Sequence, residues 1–332
     1  MTSEIIGVTL QGVDPPARFT GMVREIELMG YDHLWITDSS LHARDAFVYL
    51  TLAARESERL QLGTNCTHPH TRHPAVTANA LASVNEVSGG RAILGVGAGD
   101  SPVEELGKPL AKLSEVRSMV DFTRRLYSGD RFDYSGTHFT VHNGQLHYGL
   151  DGVRPPKIYM TASGPKMLEL AGAVADGVIV HCGVFPEGLE FATGHVRRGA
   201  EAAGRDFADI DFAWQVFGVL DEDLHRARDA ARPMAAWFPL RSPLYCGLAG
   251  VPVDLADQIR DVYSGGEFHE AVRAHELTTD DMVDKFTITG GTAIWKERLA
   301  MARDFGVSHI ELFGLGDRME LYADLAAKVF NR

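Results

Sequence analysis

Residues 59–100 constrain the fold more than any other part of the chain. Two short apolar runs, 60–64 and 92–96, flank a stretch in which apolar residues recur at helical spacing. This alternation predicts a strand–helix–strand unit and hence a parallel sheet. Residues that carry chemistry or tolerate unusual backbone follow each run, at 65–68 and 97–100. Because ligands of parallel α/β folds bind at the carboxyl ends of the strands, we expect this unit to form much of the functional site.

The same alternation continues along the chain. Strands are predicted at 5–10, 33–37, 60–64, 92–96, 157–161, 177–181, 210–220 and 307–313. Eight strands alternating with helices over 332 residues predict an α/β protein, a (β/α)8 TIM barrel formed by a single domain at 1–332, with an open doubly wound sheet as the alternative. Two insertions are expected, a hairpin near 131–150 and an irregular, partly helical segment near 239–290, and both are natural lids or substrate-selecting walls.

Composition narrows the class of protein. Hydrophobic content of 45% and charged content of 23% are typical of a soluble globular protein. A net charge of −13 disfavours nucleic acid or an anionic membrane as the main partner. Three widely spaced cysteines and an amino terminus without a basic region favour the cytoplasm. We therefore expect a cytoplasmic protein with a small-molecule substrate.

The glycine cluster at 95–100 invites comparison with a dinucleotide-binding fingerprint. Asp100 stands where the third glycine is required, and the next helix is predicted only near residue 112. The cluster is either a tight turn at a strand end or a place where Gly97 and Gly99 let the main chain approach a flat ring.

Paired histidines raise the possibility of a metal. His68 and His70 have the spacing of ligands in barrel metal-dependent hydrolases, and His181 with Asp317 could complete such a site. In those enzymes the pair follows the first strand, whereas here it follows the third. Histidines that line a pocket or the surface are the favoured interpretation.

Two further segments are ambiguous from spacing alone. The run Ser163-Gly164-Pro165-Lys166 begins a helix, where it either binds phosphate or only caps the helix. Asp38 ends an apolar strand, where it is either a site acid or the cap of a short turn.

Four segments together resemble one family. They are D-H-L-W-I-T-D (32–38), L-G-T-N-C-T-H-P-H-T-R-H-P-A-V-T-A (62–78), S-G-G-R-A-I-L-G-V-G-A-G-D (88–100) and A-S-G-P-K-M-L-E-L-A-G-A-V-A-D-G-V-I (162–179). In this order they resemble the bacterial-luciferase-like flavin and deazaflavin oxidoreductases, most closely the branch containing methylenetetrahydromethanopterin reductase.

The resemblance implies hydride transfer between a flavin-type cofactor and a small organic substrate at the barrel mouth. Coenzyme F420 is favoured and FMN is the alternative. It also implies a homodimer and a separate flavin or F420 reductase that supplies reduced cofactor. An FMN-dependent monooxygenase and a non-catalytic flavin-binding protein are the alternatives from the same family.

The resemblance also implies site residues. Asp38 would contact the ring or substrate, a non-prolyl cis peptide at Asn65–Cys66 would lie behind the ring, and His68 would lie beside it. The remaining cofactor contacts would be Gly97, Ala98, Gly99, Ser163, Gly164, Pro165 and Lys166. Ser39 stands where some sugar-phosphate dehydrogenases of the family have histidine, so the proton donor is left open among Asp38, His42, His68 and Asp100.

Overall fold

The computed structural model describes residues 4–150, 152–263, 270–316 and 318–332. The strands of these parts are β1 (Ile5–Leu10), β2 (His33–Ile36), β3 (Gln61–Thr64), β4 (Ala92–Val96), β5 (Phe132–Ser135), β6 (Thr140–Gly144), β7 (Lys157–Thr161), β8 (Gly177–Val180), β9 (Asp211–Leu220), β10 (Thr287–Gly290) and β11 (His309–Leu312).

Eight of these strands form a closed parallel barrel. Their order is β11, β1, β2, β3, β4, β7, β8 and β9. The barrel closes because β9 pairs with β8 through its first half, where Val180 lies beside Trp214, and with β11 at Ala213–Val216. The predicted (β/α)8 barrel is confirmed, and the open doubly wound alternative is wrong.

Helices connect the strands around the outside of the barrel. They are α1 (Pro16–Leu28), α2 (Ala46–Glu56), α3 (Pro74–Val87), α4 (Ser101–Glu105), α5 (Leu113–Tyr127), α6 (Pro165–Val174), α7 (Pro186–Ala202), α8 (Leu224–Ala235), α9 (Phe238–Arg241), α10 (Pro243–Leu248), α11 (Val253–Val262), α12 (Asp280–Phe286), α13 (Thr292–Asp304) and α14 (Met319–Asp324). Short 3₁₀ segments lie at Phe207–Asp209 and Glu270–Leu277, and a π-helical turn at Leu325–Phe330 follows α14. No helix in the described ranges is long and apolar enough to cross a membrane.

The two predicted insertions differ in character. The first is the antiparallel hairpin β5–β6, as expected. The second consists mainly of short helices, and it ends in β10, which pairs in parallel with the outer half of β9. Neither β10 nor the following helix α13 was predicted. Four residues, T-I-T-G, are too few to show a period of their own.

Aromatic and polar side chains fill the barrel interior together. Trp35, Ile93, Tyr159 and Ile179 form one buried apolar cluster inside the strands. The larger core lies between the strands and the surrounding helices. Because the lower interior is filled by side chains, the open space of the fold lies at the carboxyl ends of the strands.

Candidate active site

A cavity of about 670 Å³ lies at the carboxyl ends of the barrel strands, within the size range of small-molecule sites. Its walls include most residues that the sequence singled out. The predicted residues that line it are Asp38, His42, Asn65, Cys66, His68, Ala98, Gly99, Asp100, Ser163 and Gly164. Gly97, Pro165 and Lys166 are outside this lining set.

Asp38 follows β2 and is held on one side by two donors. The Thr67 hydroxyl donates to Oδ2 at 2.7 Å, and Arg72 donates to the same oxygen. The residue is only 5% exposed. No group in the described chain donates a hydrogen bond to Oδ1, which is left to the cavity. The structure therefore places a carboxylate with one committed and one available oxygen in the site, rather than a turn cap.

Arg72 was not predicted, although it is the one cation in the loop after β3. Its second amino group donates to Asp45 Oδ2 at 2.6 Å, and its guanidinium lies 5.0 Å from the Phe47 ring centroid. Burial lowers the pKa of Arg72, but Asp38 and Asp45 outweigh that effect and the net pKa is raised. Asp45 in turn caps α2. Arg72 thus ties the site carboxylate to a helix end.

The peptide bond between Asn65 and Cys66 is cis, as predicted. The Thr161 hydroxyl donates to Cys66 Sγ at 3.0 Å. Burial raises the pKa of the Cys66 thiol to about 11. The thiol is therefore protonated at neutral pH and serves as a packing group rather than a nucleophile.

The glycine cluster after β4 has a different role at each position. A Cβ on Gly97 would lie 2.1 Å from Thr161 Oγ1 and 2.8 Å from Cys66 Sγ, so glycine is needed there for packing between strands. Gly99 has a φ of +96° and lines the cavity. A ring in the cavity would therefore meet the main chain at Gly99. Gly97 does not line the cavity and only allows the neighbouring strands to pack.

His68 lies under the cavity and is 2% exposed. Its Nδ1 shares a hydrogen bond with the Thr71 hydroxyl at 3.0 Å, whereas Nε2 has no hydrogen-bond partner in the described chain. Burial lowers the pKa of His68, with Asp38 opposing the shift. His68 is therefore a neutral imidazole at physiological pH, and its Nε2 is buried from solvent.

Asp100 and His42 lie on the rim with partners of their own. Asp100 caps α4 through a 2.7 Å bond from the Ser101 amide and pairs with Arg241 at 2.7 Å. His42 pairs with Glu105 through its Nε2. The expectation that the next helix starts near residue 112 is wrong, since α4 opens at Ser101, but its five residues are too short for the helix of a dinucleotide fingerprint.

The run at 163–166 begins α6 at the cavity edge. Gly164 is the cap residue, Pro165 occupies the first turn, and no side chain caps the helix. A Cβ on Gly164 would meet nothing within 4 Å. Tyr245 donates to the Ser163 carbonyl at 3.1 Å. The open space at Gly164 leaves room for a ligand group at this helix start, and phosphate binding there stays a prediction.

The opposite wall is apolar and aromatic. His181 directly follows β8, and its ring stacks on that of Trp237 with 5.1 Å between the ring centroids. The Phe238 ring centroid lies 4.7 Å from that of His181. Burial lowers the pKa of His181 to about 3, and its Nε2 has no hydrogen-bond partner among the described residues. The sequence analysis considered His181 only as a possible metal ligand. Its aromatic neighbours were not predicted, because a histidine at a strand end does not indicate which side chains surround it.

His181 makes the fold sensitive to acid. Its folded pKa lies below the unfolded value near 6.5, so the unfolded chain binds its proton first and stability falls as the pH drops from 6.5 towards 3. We expect His181→Phe to reduce the loss of unfolding free energy between pH 7 and pH 5 by about 2 kcal/mol. Urea denaturation at the two pH values measures this loss. The same change at the exposed His142 is the control, and equal losses in both variants would contradict the assignment.

The hydrolase alternative finds no support in the described residues. No group of three metal-ligating side chains occurs in the described ranges. His70 turns to the Pro109 carbonyl at 2.8 Å and to Glu115 at 3.3 Å. Asp317 lies outside the described residues.

Comparison with known proteins now places the chain. The model of the luciferase-like monooxygenase family matches residues 2–309. The chain belongs to this family. It is 32% identical over 314 residues to 5,10-methylenetetrahydromethanopterin reductase of Methanolobus tindarius, covering 92% of both proteins. It is 26% identical over 314 residues to an F420-dependent glucose-6-phosphate dehydrogenase of Amycolatopsis mediterranei, covering 89% of this chain and 88% of that one.

A solved structure agrees with these relatives. Coenzyme F420-dependent tetrahydromethanopterin reductase from Methanopyrus kandleri superposes with a TM-score of 0.88, at 26% identity and over 99% of both chains. The predicted family and its oxidoreductase class are confirmed. These relatives depend on F420, the cofactor that the sequence favoured.

Proposed function

We propose that this protein transfers a hydride between coenzyme F420 and a small organic substrate held at the barrel mouth. The observation that carries the proposal is Asp38 Oδ1, an oxygen without a protein hydrogen bond in the described chain, on one wall of a cavity whose other wall is aromatic. A flat ring with a polar edge fits such a site. The F420-dependent relatives support the choice of ring.

The residues divide the work. When bound, F420 supplies two-electron hydride chemistry. Asp38 accepts or returns a proton at Oδ1, and Arg72 and Thr67 hold the carboxylate in place through Oδ2. His68 lies in the same wall as a neutral imidazole. Asp100 and His42 are weaker candidates for proton transfer because each already has a partner on the rim. Asp100 pairs with Arg241, and His42 pairs with Glu105.

The aromatic wall and α6 hold the rest of the ligands. Trp237, Leu240 and Phe313 line the cavity and exclude water from it. Ser163 and Gly164 receive a phosphate at the start of α6, with Pro165 and Lys166 in its first turn. The insertion that carries α9 and α10 forms the substrate-selecting wall.

The proposal includes four further expectations from the sequence and the family. The chain acts as one luciferase-like barrel domain, assembles as a homodimer and works in the cytoplasm. A separate flavin or F420 reductase supplies reduced cofactor.

Titration with F420 and with FMN tests the cofactor. Quenching of the cofactor's fluorescence by the purified protein gives both dissociation constants. We expect F420 to bind at least about tenfold more tightly than FMN, a difference of about 1.4 kcal/mol. Tighter binding of FMN would favour the monooxygenase alternative, and absence of binding by both would refute the proposal.

A further inference from the structure

A line of buried polar side chains runs through the barrel interior towards the cavity. Asp211 Oδ2 lies 3.0 Å from His309 Nδ1, and His309 Nε2 lies 3.6 Å from Glu311 Oε2. His309 and Glu311 are both 0% exposed. The Thr9 hydroxyl donates to Glu311 Oε1 at 2.5 Å. Buried groups of this kind are costly unless each is paired, so their arrangement needs a reason.

The line ends at a residue that lines the cavity. Asn65 Nδ2 donates to Thr9 Oγ1 at 3.0 Å. A threonine hydroxyl has one proton, and here that proton goes to Glu311, so towards Asn65 the hydroxyl can only accept. This fixes the side-chain amide with its NH₂ group towards Thr9. No group in the described chain donates a hydrogen bond to Asn65 Oδ1, which remains for a ligand.

A buried cation lies beside Glu311. Asp211 and Glu311 outweigh burial and raise the pKa of His309 to about 9, so His309 is an imidazolium at neutral pH. Burial raises the pKa of Glu311 on balance, although the charge of His309 opposes the rise. Oε1 of Glu311 accepts the hydrogen bond from Thr9. The absence of a side chain at Gly7 gives the carboxylate room, since a Cβ there would lie 2.0 Å from Oε2.

We propose that Glu311 and Thr9 are positioning residues that hold the Asn65 amide with its carbonyl oxygen towards the cavity. The site then selects a ring that presents an N–H donor at its edge. The imide N–H of the pyrimidine ring in F420 and FMN has this chemistry, and an N–H of the substrate is the other source. The inference rests on the proposed function, and it assigns Asn65 Oδ1 as the atom that accepts a hydrogen bond from the edge of the ring.

A modified cofactor tests the inference in the unmutated protein. F420 and its derivative methylated on the imide nitrogen are titrated by fluorescence quenching. We expect methylation to weaken binding by about tenfold or more, because Asn65 Oδ1 loses its donor. Equal binding of the two rings would overturn the inference. That result would leave the proposed function standing, whereas a failure to bind either F420 or FMN would refute both.

Variants of Thr9 separate positioning from general stability. Thr9→Val removes both hydrogen bonds of the hydroxyl, so we expect F420 to bind about tenfold more weakly and ring methylation to change affinity by less than about twofold. Thr9→Ser keeps the hydroxyl and is expected to retain full discrimination.

The control is the same substitution at Thr77, a buried threonine of α3 whose hydroxyl has no partner in the described chain. Thr77→Val is expected to bind and discriminate as the unmutated protein does. The inference would be overturned if ring methylation weakened binding to Thr9→Val as much as it weakens binding to the unmutated protein. If Thr9→Val does not fold, the comparison of the two rings in the unmutated protein decides.

Discussion

Replacing Asp38 with asparagine is expected to lower turnover by about 10²–10⁴-fold, while F420 binding changes by no more than a few-fold. Arg72 and Thr67 both donate to Oδ2, so they will hold the amide oxygen in that place. The NH₂ group will then replace Oδ1 at the cavity, where it cannot accept and return a proton. The measurement is the single-turnover oxidation of reduced F420 by a substrate chosen from a panel of ketones, enones and imines.

Asp45→Ser is the matched control for this prediction. Asp45 binds the same arginine at 2.6 Å from outside the cavity, and serine keeps the cap of α2. We expect its turnover to stay within about threefold of the unmutated protein. A loss as large as that of Asp38→Asn would show that the position of Arg72, and not the proton at Asp38, limits the reaction.

Replacing Arg91 with methionine is expected to lower the free energy of unfolding by about 3 kcal/mol. Arg91 precedes β4 at the amino end of the barrel, far along the strands from the cavity. Its side chain donates to the carbonyls of Ser57, Leu60 and Ser88 at 2.7, 2.6 and 2.7 Å. Methionine fills similar volume but leaves these carbonyls without their donor. Urea denaturation measures the loss.

Arg117→Met is the control for the stability prediction. Arg117 is exposed on α5 and lies 3.6 Å from Asp121 one helical turn on, an arrangement that contributes at most about 0.5 kcal/mol. F420 binding by both variants should equal that of the unmutated protein at 25 °C. A loss below about 0.5 kcal/mol for Arg91→Met would contradict the role assigned to its hydrogen bonds.

Periodicity predicted the barrel because each of its eight strands is followed by a long apolar or amphipathic stretch. The same approach missed β10, whose four residues pair only with the outer half of a longer neighbour. It also missed α13, although thirteen residues are long enough to show helical spacing. Boundaries of the barrel strands differ from the predictions by two residues at most, as at the start of His309–Leu312.

Site residues were predictable where their position in the chain alone places them at the cavity. Asp38 and His68 stand next to strand ends, so their place at the cavity follows from the fold. Partnerships between distant segments were not predictable, since Thr9 and Glu311 are separated by 302 positions and meet only because the first and last strands of the barrel pair. The aromatic wall around His181 arises in the same way, from β8 and the helical insertion.

The central claim is that F420 binds at the barrel mouth beside Gly99. Its most direct test is a fluorescence titration of F420 with the unmutated protein and with Gly99→Val. Valine at a φ of +96° is strained, and its Cβ would lie 2.5 Å from Cγ2 of the buried Val103, so the loop that lines the cavity would have to shift. We predict one F420 per unmutated chain and at least about 100-fold weaker binding to folded Gly99→Val. Equal affinities would place the cofactor elsewhere and contradict the account.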